Sequence, residues 1–179
     1  MKLSKRILLL LFVIILSACK EKSAQTAAQE GTKNFNTPKQ LTVDFNFKTN
    51  KADVFKIMMN NIVVDELQKK NIEIFENVIP SSNVDAIVAK FDPGNMSNNI
   101  VFHLGNKTIK EVEIKSILVS YGNNQYNIST AKDLSKYFVF NQFIERDSLS
   151  KKLIIKKVDG KLFPFFTMKQ NLIKLLKGE

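Results

Sequence analysis

The sequence predicts a mainly β protein, an antiparallel β-sandwich of jelly-roll-like form with one or two short helices. Apolar and polar residues alternate in many short segments between residues 41 and 168, which is the pattern of strands with one buried face. Turn-forming residues separate these segments, as in sandwiches and barrels. The single cysteine excludes an intramolecular disulfide, so a hydrophobic core must stabilise the fold, and the 14 phenylalanines supply large core side chains.

The first predicted strand begins at residue 41. Apolar residues occupy every second position from Leu41 to Phe47, with polar residues between them. Residues 53–59 fit a second strand that returns from a turn as a hairpin. The same region also fits an amphipathic helix, because its apolar residues form a helical stripe as well. The alternative fold class is therefore α+β, with a helix near residues 50–68, and the sequence leaves this choice open.

Strand patterns recur at short intervals through the middle of the chain. The turn residues Asp92-Pro93-Gly94-Asn95 and Gly122-Asn123 lie between them, with proline and glycine where turn geometry requires them. The predicted strands of this region cover residues 71–78, 86–91, 100–104, 109–121 and 125–129.

The last third of the chain is predicted to add one helical segment and three strands. Thr130, with Asp133 three residues further on, is a capping candidate for a short helix or turn at 130–137. Asp159-Gly160 predicts a hairpin turn, and Pro164 predicts that the strand containing it lies at a sheet edge. The predicted strands cover residues 138–144, 152–158 and 162–168, and residues 170–176 fit a strand or a short helix.

Residues 1–19 have the layout of a secretory signal peptide. A basic start precedes an unbroken apolar run over residues 7–16, and small residues follow it. The run is shorter than the roughly 20 apolar residues that a membrane-spanning helix needs. Its end, Leu16-Ser17-Ala18-Cys19, resembles the lipobox of bacterial lipoproteins.

This resemblance implies cleavage before Cys19 and lipidation of Cys19. The chain then divides into a signal peptide at 1–18, a lipidated cysteine with a flexible tether at 19–40, and a single globular domain at 41–179. The tether has too few large apolar residues to offset its ordering entropy. Several acyl chains hold a protein stably at a membrane. The predicted location is therefore the bacterial cell envelope, anchored by lipid at the outer membrane on its periplasmic or surface side.

The charge of the chain bears on its partners. The net charge is +10 at pH 7, and about +7 remains after the predicted loss of the signal peptide. Such a charge favours anionic lipid headgroups or acidic envelope glycans. The sequence has no nucleic-acid recognition motif and no basic stripe with interleaved aromatics, so nucleic acid is not a predicted partner.

Catalytic motifs are missing from the sequence. His103 is the only histidine, which excludes paired-histidine zinc motifs, and spacing selects no serine or cysteine nucleophile for it. We expect it on the wet or half-covered face of its strand. No glycine-rich phosphate loop occurs, and no cofactor, metal or catalytic residue is predicted. The acidic residues that remain available for a glycosidase-type pair are Asp44, Asp53, Asp65, Glu66, Glu73, Glu76, Asp85 and Asp92.

A second resemblance concerns the globular part. The stretches Val101–Gly105, 112–122 and 137–141 are similar to β-sandwich domains of bacterial surface lipoproteins, some of which resemble carbohydrate-binding modules. This resemblance implies a non-catalytic domain that binds an envelope glycan or protein. Tyr121 and Tyr126, which flank a predicted hairpin turn, are the candidate ligand residues, because exposed aromatic rings stack on sugars. A cross-strand aromatic pair is the other interpretation of these two residues.

The sequence does not decide whether the protein is an enzyme, and it favours a non-enzymatic role. The alternative function is a lipid-tethered hydrolase that acts on envelope polymers. A pair of carboxylates in a concave cleft would distinguish the hydrolase from a binding protein.

Overall fold

The computed structural model describes residues 38–64 and 68–179. Within these ranges the chain forms eleven strands and two short helices. The strands are β1 (Leu41–Thr49), β2 (Asp53–Val63), β3 (Lys69–Val78), β4 (Asp85–Lys90), β5 (Asn99–His103), β6 (Glu111–Tyr121), β7 (Asn124–Ile128), β8 (Phe138–Phe140), β9 (Ile144–Glu145), β10 (Lys152–Ile155) and β11 (Phe165–Met168). The helices are α1 (Ala131–Tyr137) and α2 (Gln170–Lys177).

Two antiparallel sheets make up the fold. The first sheet has the order β4-β1-β6-β10-β9, and β7 pairs with β6 beyond the segment that β10 covers. The second sheet has the order β3-β2-β5-β11-β8. Side chains of both sheets meet in one hydrophobic core. The prediction of a mainly β, antiparallel sandwich with two short helices is confirmed.

Phenylalanine rings fill the centre of the sandwich. Phe102 of β5 stacks on Phe166 of β11 with the ring centroids 4.7 Å apart. Its ring also makes edge contacts with Phe138 at 5.5 Å and with Phe45, from the opposite sheet, at 5.7 Å. All four rings are at most 2% exposed. Phe45 and Phe102 therefore share one core, as the two alternating patterns predict.

The segment that the sequence left open is a strand. β2 covers Asp53–Val63 and pairs with β3 on one side and β5 on the other, so the helix near residues 50–68 is wrong. Phe55, Ile57 and Met59 are fully buried at alternate positions, which is the period of a strand. The predicted hairpin with β1 is also wrong, because β1 and β2 lie in different sheets. Both strands bury apolar side chains in the same core, from opposite sides.

Both segments for which the sequence allowed a helix, 130–137 and 170–176, are helical. Thr130 caps α1, and its Oγ1 accepts a hydrogen bond from the backbone N–H of Asp133 at 3.1 Å. The predicted strand at 138–144 is two strands, because the chain turns after β8 and enters the first sheet as β9. Residues 170–176 are helical, and Gly178 ends α2 with a φ of 82°.

The turn at Asp159-Gly160 forms as predicted, with φ values of 50° and 73°. The strands on either side of this turn do not pair with each other, because β10 belongs to the first sheet and β11 to the second. The edge position predicted from Pro164 is wrong, since β11 lies between β5 and β8. Pro164 precedes the first residue of β11, so its missing N–H does not weaken the ladder. Its carbonyl accepts a hydrogen bond from the N–H of Leu104 at 2.9 Å.

The signal peptide, the lipobox with Cys19 and most of the tether lie outside the described residues, and these assignments stay predictions. Among residues 38–64 and 68–179, no helix has the length and apolar content to cross a bilayer.

Candidate functional site

The outer face of the second sheet carries the candidate site. Residues paired across strands share a face, so the ladder register defines two adjacent rows there. These two rows form the outer face of the second sheet. One row runs through Phe75, Lys56, His103 and Phe165. The other row runs through Glu73, Met58, Val101, Thr167 and Val139.

This face carries a large exposed apolar side chain on each of its two edge strands, β3 and β8. Phe75 is 64% exposed and Val139 is 53% exposed. Phe163, in the loop before β11, adds another half-exposed ring beside the same face. The first sheet presents mostly polar residues outward, among them Thr42, Asp44, Asn46, Ser116 and Ser120, with Val88, Leu118 and Ile154 as large apolar exceptions. Exposed rings such as Phe75 and Phe163 on one face are typical of a binding surface.

A pocket of about 250 Å³ opens in this face. The side chains that bear on its chemistry are Lys56, Met58, Glu73, His103, Lys107 and Phe163. Lys56 and Glu73 form an ion pair of 3.0 Å across β2 and β3. Lys107 forms no ion pair with any described residue. The wall of the pocket therefore carries one uncompensated positive charge.

His103 lies at the base of the site. It is 7% exposed, and its ring centroid is 4.5 Å from that of Phe163. The prediction that it lies on the face opposite Phe102 is confirmed, but the predicted wet or half-covered position is wrong, because Phe163 covers it. Nδ1 accepts a hydrogen bond from the N–H of Gly105 at 3.2 Å. In the neutral ring the proton is therefore on Nε2, and Nε2 has no partner among the described residues.

The charge state of His103 follows from its surroundings. Burial lowers the pKa of His103, and the positive charge of Lys56 lowers that pKa further. Lys110 acts in the same direction, while the carboxylates of Asp53 and Glu73 oppose them. The imidazole is therefore neutral at pH 7, with its buried N–H available as a donor.

An ion pair beneath the pocket joins Asp53 at the start of β2 to Lys110 just before β6. The side chains of both residues are at most 1% exposed. Lys110 donates one hydrogen bond to Oδ2 of Asp53 and a second, of 2.8 Å, to the carbonyl of Leu104. Burial by itself raises the pKa of Asp53, but the hydrogen bond from Lys110 and those from two backbone N–H groups outweigh it and hold that pKa below its ordinary value.

This ion pair holds the loop between β5 and β6, which carries Lys107 into the pocket wall. The backbone N–H of Lys107 donates to Oδ2 of Asp53 at 3.0 Å. Gly105 has a φ of 74°, and a Cβ at this position would lie 2.1 Å from Oδ1 of Asp53. Only glycine permits this approach. The predicted strand at 100–104 ends just before Gly105, as the structure shows within one residue. The ion pair could not be predicted, since no spacing links residues 53 and 110.

The structure places Tyr121 and Tyr126 away from this pocket. They pair with the inward-facing residues Leu41 and Val119, and both rings are half-buried against the core. A larger hollow of about 420 Å³ lies beside their hairpin and is lined by Lys39, Pro93 and neighbouring residues, without either tyrosine. Their role as ligand residues stays a prediction.

Two of the carboxylates that the hydrolase alternative would use, Asp65 and Glu66, lie outside the described residues. Of the candidate carboxylates, Glu73 pairs with Lys56 and Asp53 pairs with Lys110. No group of three or more His, Cys, Asp or Glu that suits a metal occurs in residues 38–64 and 68–179. Because Nδ1 of His103 accepts from a backbone N–H, the Nε2 side of the neutral ring presents a donor.

Comparison with known proteins adds no assignment. No protein-family model, no curated protein and no solved structure matches the chain. The site is therefore argued from its own geometry.

Proposed function

We propose that this protein is a lipid-anchored protein of the bacterial cell envelope whose β-sandwich binds a partner without catalysis. The observation that carries the binding role is the exposed apolar surface on the outer face of the second sheet, where Phe75 of the edge strand β3 is 64% exposed. The lipobox-like end of the leader, Leu16 to Cys19, supports the anchor.

Of the two partner classes that the sequence suggests, a protein fits this face better than a glycan. Phe75, Met58 and Val139 offer apolar contact area and no hydrogen-bonding groups. Such side chains suit the apolar centre of a protein interface, where polar groups lie at the rim. A glycan presents many hydroxyl groups that need partners. The polar side chains of the two rows are largely engaged, because Lys56 pairs with Glu73 and His103 is buried.

The first test concerns the anchor. Cys19→Ala is expected to abolish labelling of the protein by a clickable fatty acid fed to the cells, because the acyl chains attach through the sulfur of that residue. The matched variant Ser23→Ala, four residues further on, is expected to keep the label. Equal labelling of both variants would rule out Cys19 as the lipidation site.

The second test concerns the binding face. Phe75→Asp is expected to reduce capture of envelope proteins by the detergent-solubilised full chain, because it replaces the most exposed ring of the apolar surface with a charge. Val88→Asp is the matched control, since Val88 is 52% exposed on the outside of the first sheet. Quantitative mass spectrometry of the captured proteins compares the two variants. Unchanged capture by Phe75→Asp, or equal loss in both variants, would contradict the assignment of this face.

A further inference from the structure

We propose that the pocket at His103 binds a carboxylate that carries an apolar group, presented by the partner protein. The inference deepens the proposed function and rests on it only in assigning the carboxylate to a partner. Three properties of the pocket select this ligand, namely its hydrogen-bond donor, its charge and its apolar wall.

The donor is the Nε2–H group of His103. Because Nδ1 accepts from Gly105, the ring presents a donor and no free acceptor on its Nε2 side. This nitrogen is buried and has no partner among the described residues. A buried N–H without a partner is costly and rare in native proteins. A ligand oxygen that enters beside the covering ring of Phe163 would satisfy it.

The charge of the pocket selects an anion. Lys56 and Glu73 neutralise each other, and Asp53 and Lys110 do the same beneath the pocket. Lys107 is left as the uncompensated charge on the wall. A cationic ligand would face this ammonium group and the histidine N–H, whereas a carboxylate is able to accept hydrogen bonds from both. Because Lys107 supplies one uncompensated charge, a ligand with a single carboxylate balances it.

The apolar wall determines what the carboxylate is attached to. The half-exposed ring of Phe163 lies against the imidazole of His103, and Met58 and Val54 complete this side of the pocket. The pocket of about 250 Å³ holds one carboxylate and one small apolar group, and it is too small for an oligosaccharide. A phenylalanine at the carboxyl end of a chain has this chemistry, and so does a free aryl or alkyl acid.

The experiment uses the fact that His103 is the only histidine of the chain. In the ¹⁵N-labelled full chain in detergent, the imidazole nitrogens give one set of NMR signals, and their shifts report the tautomer. We expect the Nε2–H tautomer at pH 7 and a saturable shift of Nε2 when phenylacetate is added. Phenylacetamide, which has the same shape without the charge, is expected to bind about tenfold more weakly.

Variants test the contributing groups. Lys107→Gln and Phe163→Ala are each expected to weaken phenylacetate binding about threefold to tenfold, whereas Lys90→Gln on the first sheet is expected to leave it unchanged. An Nδ1–H tautomer, the absence of a shift with phenylacetate, equal binding of phenylacetamide, or full affinity in Lys107→Gln would overturn the proposal.

A last comparison separates the source of the carboxylate from the proposed function. A Gly/Ser peptide that ends in phenylalanine is titrated as the free acid and as the amide. Binding of the free acid alone supports a partner protein, and binding of phenylacetate without either peptide overturns that assignment in favour of a small acid. If the free acid binds while Phe75→Asp leaves capture unchanged, the pocket is supported and the broader binding face is not.

Discussion

Replacement of Phe102 by alanine is expected to lower the free energy of unfolding by about 3–5 kcal/mol, as for other large aromatic residues in a core. The ring is fully buried and contacts Phe45, Phe138 and Phe166. Truncation removes these contacts and leaves a cavity between the two sheets, which close-packed neighbours fill only in part. Urea unfolding followed by circular dichroism measures the change.

Phe75→Ala is the matched control, because it removes the same side chain from an exposed position. Its effect on the free energy of unfolding is expected to stay within about 0.5 kcal/mol. Phe102→Leu keeps most of the volume and provides a folded comparison if the alanine variant does not fold. Similar losses for Phe102→Ala and Phe75→Ala would contradict the placement of Phe102 at the centre of the core.

Breaking the buried ion pair of Asp53 and Lys110 is expected to lower the free energy of unfolding about as much as Phe102→Ala does. Asp53→Asn and Lys110→Met should each lower the free energy of unfolding by about 3–5 kcal/mol, because each leaves a charge or polar group buried without its partner. The double variant Asp53→Asn/Lys110→Met is expected to lose less than the sum of the two, since no buried charge remains. The ordinary double-mutant cycle in urea measures this coupling.

Lys152→Met provides the exposed comparison. Lys152 pairs with Glu111 at 2.7 Å, but both side chains are about half exposed, and solvent screens such pairs. Little change in stability is expected. A loss comparable to that of Lys110→Met, or strict additivity in the Asp53/Lys110 cycle, would contradict the structural importance of the buried pair.

The buried pair of Asp53 and Lys110 also makes the stability of the fold sensitive to acid. The pKa of Asp53 is lower in the folded state than the ordinary value of 3.8. The folded state therefore binds fewer protons than the unfolded state in that range, and this part of the stability is fully present above about pH 4 and is lost as the pH falls further. The wild type is expected to lose more stability than the double variant between about pH 4 and pH 2. Parallel curves of unfolding free energy against pH for the wild type and the double variant would contradict this.

Most strands could be predicted from the sequence, because each buries one face. The alternation from Leu41 to Phe47 and the run before Tyr121 both appear as strands within a residue or two. The partners of the strands could not be predicted. Alternation indicates which side chains are buried but not from which side of the core, so β1 and β2 looked like a hairpin. The edge position predicted from Pro164 failed for a related reason. Pro164 lies just before β11, so its missing N–H is not needed in the ladder and the strand is free to lie inside the sheet.

The candidate site was predictable only in part. The sequence singles out His103 as the only histidine, and the alternation of its apolar neighbours predicts the face of the strand on which it lies. Its burial depends on Phe163, which reaches it from a loop far along the chain. The pairing of Asp53 with Lys110 likewise depends on how the loop between β5 and β6 meets the start of β2. Tyr121 and Tyr126 were identified from a correctly predicted hairpin, but the twofold period of the strands turns both rings toward the core.

The path of the chain back and forth between the two sheets has a kinetic consequence. β1 pairs with β4 and β6 rather than with β2, and Leu41 pairs with Tyr121. Few ladders can close until distant segments have met, and such topologies fold in milliseconds to seconds rather than in microseconds. During that interval apolar strands remain open to other chains, and association competes with folding. Lys69 and Lys70 at the start of the long edge strand β3 place charge where such pairing would begin.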